Sequence, residues 1–287
     1  MINVLVTGGN GQLASCIKDL EVRYKDLNVI YTGSKDLDIC DSNQVQTFFS
    51  KNTINYCVNC AAYTAVDKAE EEQEKAFDVN TNGAKNLALA CKKNGVVLIH
   101  ISTDFVFDGN KAKPYTEEDK PNPVNVYGAS KLQGELEIQN TLKEHFIIRT
   151  SWLYSEHGHN FMKTMLRLAE TRDEISVVSD QIGTPTYAGD LAEVILKITM
   201  SNNSFYGFYH YSNRGEISWY DFAKEIFELS HKQVKLHPIA TEVYPAAAKR
   251  PRYSVLDKTK IKDLFATNIP WWRDSLVKAL LKHKVIN

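Results

Sequence analysis

The chain has almost no net charge. Its 34 Lys and Arg against 35 Asp and Glu leave a formal −1 at pH 7. That balance provides no basic field to draw it to nucleic acid or to a membrane surface. It has no run of about 18 apolar residues, so no transmembrane helix is expected. The opening "MINVLVTGGNG" lacks the basic n-region and cleavage site of a secretion signal and reads directly as strand and turn. A cytoplasmic protein is the expectation. Cysteine is sparse and odd in number, at positions 16, 40, 57, 60 and 91, which argues for free thiols. Cys57 and Cys60 form C-x-x-C, yet "INYCVNCAAYT" reads as a strand, where residues three apart point to opposite faces. No second Cys or His pair is near in the sequence, so neither zinc nor redox chemistry is expected there. The acidic run "DKAEEEQEKAFD" (67–78) reads as a solvated helix face rather than a binding tail. No repeat or low-complexity segment is present. What is there is ordinary globular material: 43% hydrophobic and 24% charged residues in 287, enough to bury a large core without disulfides or metals.

The first half alternates short β-rich runs with longer helical patterns. Strands are expected over "INVLVT" (2–7), "LNVIYT" (27–32), "YCVNCAA" (56–62), "VVLIHIST" (96–103) and "HFIIRTS" (145–151). Helices are expected from about Gln12, over 41–51 behind a capping residue, and over a long stretch near 69–93. The strands lack steady polar alternation, as parallel strands buried on both faces do. This argues for an α/β fold with a Rossmann-type doubly wound parallel sheet and right-handed crossovers. Ligands in such folds sit beyond the carboxyl ends of the strands, where "TGGNG", "AAYT", "STD" and "RTSW" all fall. After about 150 the pattern loosens. Helical stretches near 160–171, 187–200 and 218–229 are separated by "VVSDQIGTPTY" and "YGFYHYSNRG", and "AAAKRPRYSVLD" (246–257) reads as a functional loop. The expected layout is a dinucleotide-binding domain over 1–150, to which later segments return, and a smaller, discontinuous substrate lobe made mainly of 151–287.

"TGGNGQLA" (7–14) follows the first strand and opens a helix. Gly8 and Gly11 permit a tight turn and let backbone approach a pyrophosphate at the helix N-terminus. Ala14 takes the third small position. Ala61 and Ala62 either let a nucleotide lie against backbone or simply pack tightly. Ser102, Thr103 and Asp104 end the fourth strand; taken alone, such a run is a capping turn. "YGASK" places Tyr127 and Lys131 four apart, on one face of a helix starting near 122–126. A nearby ammonium lowers a phenol's pKa, and a phenol so tuned can donate a proton to an alkoxide forming from a ketone. Thr103 can hydrogen-bond the same oxygen. The second strand ends "IYTGSKD"; Ser34 can donate to a ribose 2′-phosphate and Lys35 can add positive charge, so NADPH is expected in preference to NADH, with Asp36 and Asp38 close enough to permit dual use.

These residues carry a resemblance that spans nearly the whole chain. It is similar to the extended short-chain dehydrogenase/reductases, and within them to the dTDP-4-dehydrorhamnose reductase family. The resemblance runs through "VTGGNGQLA", "DLDICD", "NCAAYTAVDKAEEEQEKAFDVN", "STDFVFDG", "NVYGASKLQGE", "RTSWLY", "VVSDQIGTPTYAGDLA" and "KRPRYSVLD". It implies NAD(P)H-dependent reduction of the 4-keto group of dTDP-4-dehydro-β-L-rhamnose to dTDP-β-L-rhamnose, for surface polysaccharide. It also implies roles: Tyr127 as proton donor, Lys131 as its tuning partner and a ribose contact, and Thr103 orienting the keto oxygen. Asn10, Gly11, Gln12 and Leu13 match the pyrophosphate turn. Asp38 and Ile39 match the adenine side, and Ala61, Ala62 and Tyr63 the next nucleotide-contacting strand end. Asp104 and Trp152 match substrate contacts, and Arg250 a diphosphate contact. The chain departs from the pattern at Phe105, where tyrosine is common, and at Tyr63, where histidine is frequent. Ser15 stands where some relatives have a magnesium-binding glutamate, so no metal is expected. His157 and His159 read as polar loop groups, and Trp271 and Trp272 as packing for a C-terminal helix. The partner implied is a sugar nucleotide, for a monomer or homodimer. The alternatives are a non-catalytic nucleotide-binding regulatory subunit, or a reductase or epimerase of another nucleotide sugar.

Overall fold

The computed structural model describes residues 1–201 and 203–286. A six-stranded, all-parallel sheet organises the chain. Its strands are β1 (Ile2–Thr7), β2 (Leu27–Thr32), β3 (Tyr56–Asn59), β4 (Val97–Thr103), β5 (His145–Thr150) and β6 (Gly207–His210), in the order β2-β1-β3-β4-β5-β6. The order reverses between β1 and β3, which opens a crevice at the carboxyl edge of the sheet. The register aligns Thr7 with Thr32 and Asn59, Asn59 with His100, and Thr103 with Thr150 along that edge.

Both faces of the sheet are covered, which is why its strands read as continuous apolar runs. On one face Val4, Val6 and Ile148 pack with α1 (Gln12–Glu21) and the later helix Ala188–Ser201. On the other, Leu5, Cys57, Leu98 and Ile147 pack with α2 (Ser42–Lys51) and α3 (Gly83–Asn94). The Asp41 side chain caps α2 by accepting from the amides of Asn43 and Gln44. All five cysteines are free.

The expected long helix near 69–93 is broken. Short helices at Val66–Ala69 and Gln73–Phe77 lead into a π-helical turn, Asp78–Asn82, and only then into α3. The cause is polar. The Asn80 side chain bonds both main-chain groups of Tyr63 and the Ser130 hydroxyl, and Thr81 donates to the Ser130 carbonyl. A π turn rotates these two side chains inward to meet α4 (Val126–Thr141).

The stretch "YGFYHYSNRG" contains an element not anticipated as one: β6, which returns the chain to the sheet beside β5. Several C-terminal elements build a separate apolar cluster around Tyr154, Phe222, Ile226 and Leu276, while Ile261 and Ile269 join the core under the sheet. Trp272 packs there, but Trp271 is 45% exposed, against the expectation that both are packing residues. Among the described residues no helix is long and apolar enough to cross a membrane.

Candidate active site

The turn after β1 is shaped for close backbone approach. Gly8 adopts a left-handed φ of 65°, and a Cβ there would lie 2.7 Å from the Ala61 amide nitrogen. Gly11 is the extended N-cap of α1 and offers no capping side chain, so the first-turn N–H groups are left for another acceptor. A cleft of about 570 Å³ opens here, lined by Asn10, Gly11, Gln12 and Leu13. A neighbouring cavity of about 370 Å³ continues towards β2 and is lined by Gly8, Ser34, Asp38, Ile39, Ala61, Ala62 and Tyr63. The two share Asn10, Gly11, Cys60 and Ala62, so they form one groove crossing the switch point. Lys35 lies on the exposed turn beside Ser34, outside the lining of either cavity. Asp36 is exposed, and its carboxylate accepts the Gly33 N–H at 2.9 Å. The Tyr63 hydroxyl donates to Glu72 at 3.0 Å. This groove fits a dinucleotide: its glycine cradle is one a side chain would fill, and its helix end suits a pyrophosphate.

Thr103, Asp104, Tyr127 and Lys131 line the same cleft. Asn125 starts α4 by accepting the Gly128 amide at 2.7 Å. Gly128 lets the helix lie on the turn after β4, since a Cβ there would meet the Phe105 carbonyl oxygen at 2.2 Å. One turn beyond Lys131, Glu135 accepts two bonds from Arg149 of β5, at 2.7 and 2.9 Å, in a buried ion pair. That pair fixes the rotation of α4 and turns Tyr127 and Lys131 to the cleft. The Tyr127 ring meets Phe105 edge-on at 5.6 Å.

The electrostatics differ from the sequence expectation at one point. The Tyr127 phenol is not lowered: burial pushes it up to about 12, Thr103 pulls it down and the Asp104 carboxyl adds to the rise. The Lys131 ammonium does not offset this. It donates to the Ile101 carbonyl at 2.6 Å and lies 3.3 Å from His100 Nε2. Burial lowers Lys131 itself to about 8, against the opposing pull of Glu135 and Cys60. The Tyr127 phenol is therefore protonated near neutral pH. Burial also pushes Asp104 up to about 7, while its Oδ1 accepts from the Thr103 hydroxyl at 3.1 Å.

Trp152 lines the cleft and also a second cavity of about 750 Å³, lined mainly by residues after 150; Phe105 borders both. Trp152 holds a left-handed φ of 47° and stacks on Trp219 at 3.6 Å with 10° between the planes. Nothing local to "EISWYDF" marks Trp219 as the stacking partner of another indole. Arg250 borders the same cavity, but its guanidinium is engaged, bonding Asp67 at 2.7 and 3.1 Å. That contact holds Asp67 below the usual carboxylate range. Glu70 accepts the Val126 amide at the start of α4. The acidic run 67–78 is thus not merely a solvated face: two of its carboxylates bind the C-terminal loop and the start of α4.

His159 lines the cleft, whereas His157 lies 2.7 Å from the Asp19 carboxylate. Cys16, Glu156 and His157 bring donor atoms within 4.8 Å of one another. Protein groups already engage them: Glu156 takes the Lys282 ammonium at 3.1 Å and the Tyr187 hydroxyl at 3.0 Å, and burial pushes the Cys16 thiol up to about 12.

The chain matches the family described as RmlD substrate binding domain over residues 2–285. It is 42% identical to a dTDP-4-dehydrorhamnose reductase of Sinorhizobium fredii, with 98% of each chain covered. The chain belongs to the dTDP-4-dehydrorhamnose reductase family. It is also 42% identical to the spore coat polysaccharide biosynthesis protein SpsK of Bacillus subtilis, with 96% of each covered. A crystal structure of the Bacillus anthracis dTDP-4-dehydrorhamnose reductase in complex with NADP superposes with a TM-score of 0.95, at 41% identity, over 98% of this chain and 100% of that one. The family match extends through both halves of the chain.

Proposed function

We propose that this protein reduces the 4-keto group of dTDP-4-dehydro-β-L-rhamnose to dTDP-β-L-rhamnose, with NADPH as cofactor. The observation that carries this reading is one cleft, lined together by the nucleotide turn, Thr103, Tyr127 and Lys131. Bound NADPH supplies a hydride to the keto carbon. Asn10 to Leu13 and the α1 N-terminus hold the pyrophosphate, with Gly8, Asp38, Ile39, Ala61, Ala62 and Tyr63 along the adenosine side. Ser34, and Lys35 from the exposed turn, favour the 2′-phosphate, while the Asp36 carboxylate is engaged by the Gly33 N–H. The Tyr127 hydroxyl holds the proton that the reduced oxygen takes up. The Thr103 hydroxyl orients that oxygen. Asp104 and the Trp152–Trp219 wall face the sugar and exclude water, and Arg250 meets the diphosphate when it exchanges its Asp67 contact for the ligand. The product serves surface polysaccharide synthesis in the cytoplasm, from a monomer or homodimer.

NADPH consumption with dTDP-4-dehydro-β-L-rhamnose, with the product sugar identified, tests this. Turnover with other keto sugar nucleotides but not this one would move the reading to another substrate. No turnover with any would make the protein a non-catalytic nucleotide binder. Comparing NADPH with NADH in the native protein and in Lys35→Ala tests cofactor choice; a native preference for NADH that the substitution leaves unchanged refutes the role of that turn.

A further inference from the structure

Lys131 is only 2% exposed, and what stands behind it is a polar row rather than apolar packing. The sheet register sets Thr7 beside Asn59, and Asn59 beside His100, across β1, β3 and β4. Residues aligned this way on neighbouring strands project from the same face. The Thr7 hydroxyl donates to Asn59 Oδ1 at 2.7 Å. Asn59 Nδ2 lies 3.0 Å from His100 Nδ1, and His100 Nε2 lies 3.3 Å from Lys131 Nζ. All four residues are buried.

The direction of this row is fixed at one end. The Ala61 backbone N–H, which can only donate, meets Asn59 Oδ1 at 3.1 Å. The amide therefore turns Nδ2 to the histidine and donates. His100 Nδ1 must accept, and a neutral imidazole then carries its proton on Nε2. The ring is neutral, because burial first and the Lys131 charge second hold its pKa well below the ordinary value. A fixed N–H thus points at Lys131 Nζ. An amine has a lone pair to receive it, whereas an ammonium has none. The Ile101 carbonyl accepts one Nζ hydrogen in either state.

We infer that His100 is a positioning residue of the reaction: backed by Asn59 and Thr7, it presents Nε2–H to Lys131 and favours the uncharged amine. This rests on the reading that Lys131 serves the reduction. Burial acts in the same direction as His100. Glu135, one turn along α4, and Cys60, beyond the end of β3, act against it. Glu135 is itself held by Arg149. His145 of β5, like Lys131, disfavours protonation of His100. A more acidic ammonium is a proton source for the phenolate that Tyr127 becomes after each donation. The Lys131 N–H bond breaks, the proton passes through solvent to re-form the phenol O–H, the amine lone pair accepts the His100 N–H, and a second solvent proton restores the ammonium.

The ligand-free protein tests this by NMR. With [15N]histidine, the tautomer of His100, assigned by loss of its signals in His100→Asn, is expected to be Nε2–H. With [13C]lysine, the Lys131 Cε resonance, assigned by its loss in Lys131→Met, is expected to titrate near pH 8. In His100→Asn the new Oδ1 still accepts from Asn59, but the donor to Lys131 is gone. One neutral hydrogen bond corresponds to an upward shift of about one pH unit in that midpoint. An Nδ1–H tautomer, or an unmoved midpoint in folded His100→Asn, overturns the inference. Should that variant not fold, the tautomer in the unaltered protein decides alone, with the signal assigned from its contacts to Asn59. Neither measurement involves turnover, so an inactive protein would refute the proposed reduction without touching this result.

Discussion

Tyr127→Phe separates proton donation from everything else the side chain does. The ring's edge-on contact with Phe105, centroids 5.6 Å apart, survives in phenylalanine. Only the hydroxyl is removed. Because burial holds that hydroxyl at about 12, it is protonated throughout the working pH range, so the native enzyme always starts with a donor. In the variant the oxygen that gains charge keeps only the Thr103 hydroxyl, and that group is shared with Asp104 Oδ1 at 3.1 Å. General acid catalysis is worth about 10²–10⁴-fold, which at about 1.4 kcal/mol per decade is about 3–5 kcal/mol of barrier. The groove for the dinucleotide is built from the β1 turn and the β2 and β3 ends, not from this hydroxyl, so NADPH affinity should change less than about threefold. The assay is single-turnover NADPH oxidation in a stopped-flow instrument, with cofactor Kd from nicotinamide fluorescence. A variant that keeps more than a tenth of the native single-turnover rate would refute Tyr127 as the donor.

Gly8→Ala should weaken NADPH binding at least tenfold: it forces a left-handed φ on an L-residue, about 1–2 kcal/mol, and drives a Cβ to 2.7 Å from the Ala61 amide; isothermal titration reads the loss, and an unchanged Kd would show that the turn is not the cradle. Trp152→Ala should raise KM for the sugar nucleotide far more than the Kd for NADPH, since the indole forms the wall it shares with Trp219; equal losses for both ligands would make Trp152 a packing residue only. The buried His210 should make stability fall in mild acid. Burial lowers it to about 3, so the folded state binds fewer protons than the unfolded state between there and the unfolded value near 6.5. Its contribution is fully present above about 6.5 and is lost as pH falls, about 2 kcal/mol by pH 5. Urea unfolding across that range measures it, and a His210→Asn variant with the same slope as the native protein would refute the assignment.

Much of the framework was legible because its physical cause is local. Strands β1 to β5 announce themselves as apolar runs, since a parallel sheet covered on both faces needs no polar alternation. The Gly8 turn was legible because only a residue without a Cβ fits beside Ala61. The four residues of β6 fell among turn-forming neighbours, and their place in the sheet comes from β5 rather than from their own sequence. The helix near 69–93 broke because Asn80 and Thr81 seek partners on α4, fifty and forty-nine residues away.

The site itself was legible as a set of residue types, not as an arrangement. Local pattern reading finds the buried face of a helix by its apolar repeat, but the buried face of α4 carries Ser130, Lys131 and Glu135. Arg149 on β5 turns Glu135 inward, and Asn80 and Thr81 hold Ser130, so the orientation of α4 depends on pairings that the helix sequence does not contain. The same holds for Arg250, whose loop read as functional while its partner Asp67 read as part of a solvated run. His100 shows the limit most clearly. Within "VVLIHIST" it is one polar residue in a buried strand, with no local sign of a role. Its meaning comes from register, which places Asn59 beside it, and from the amide of Ala61, which fixes which way Asn59 points. A buried imidazole held in one tautomer cannot be neutral to the lysine it faces, and that consequence exists only once three strands and a helix have come together.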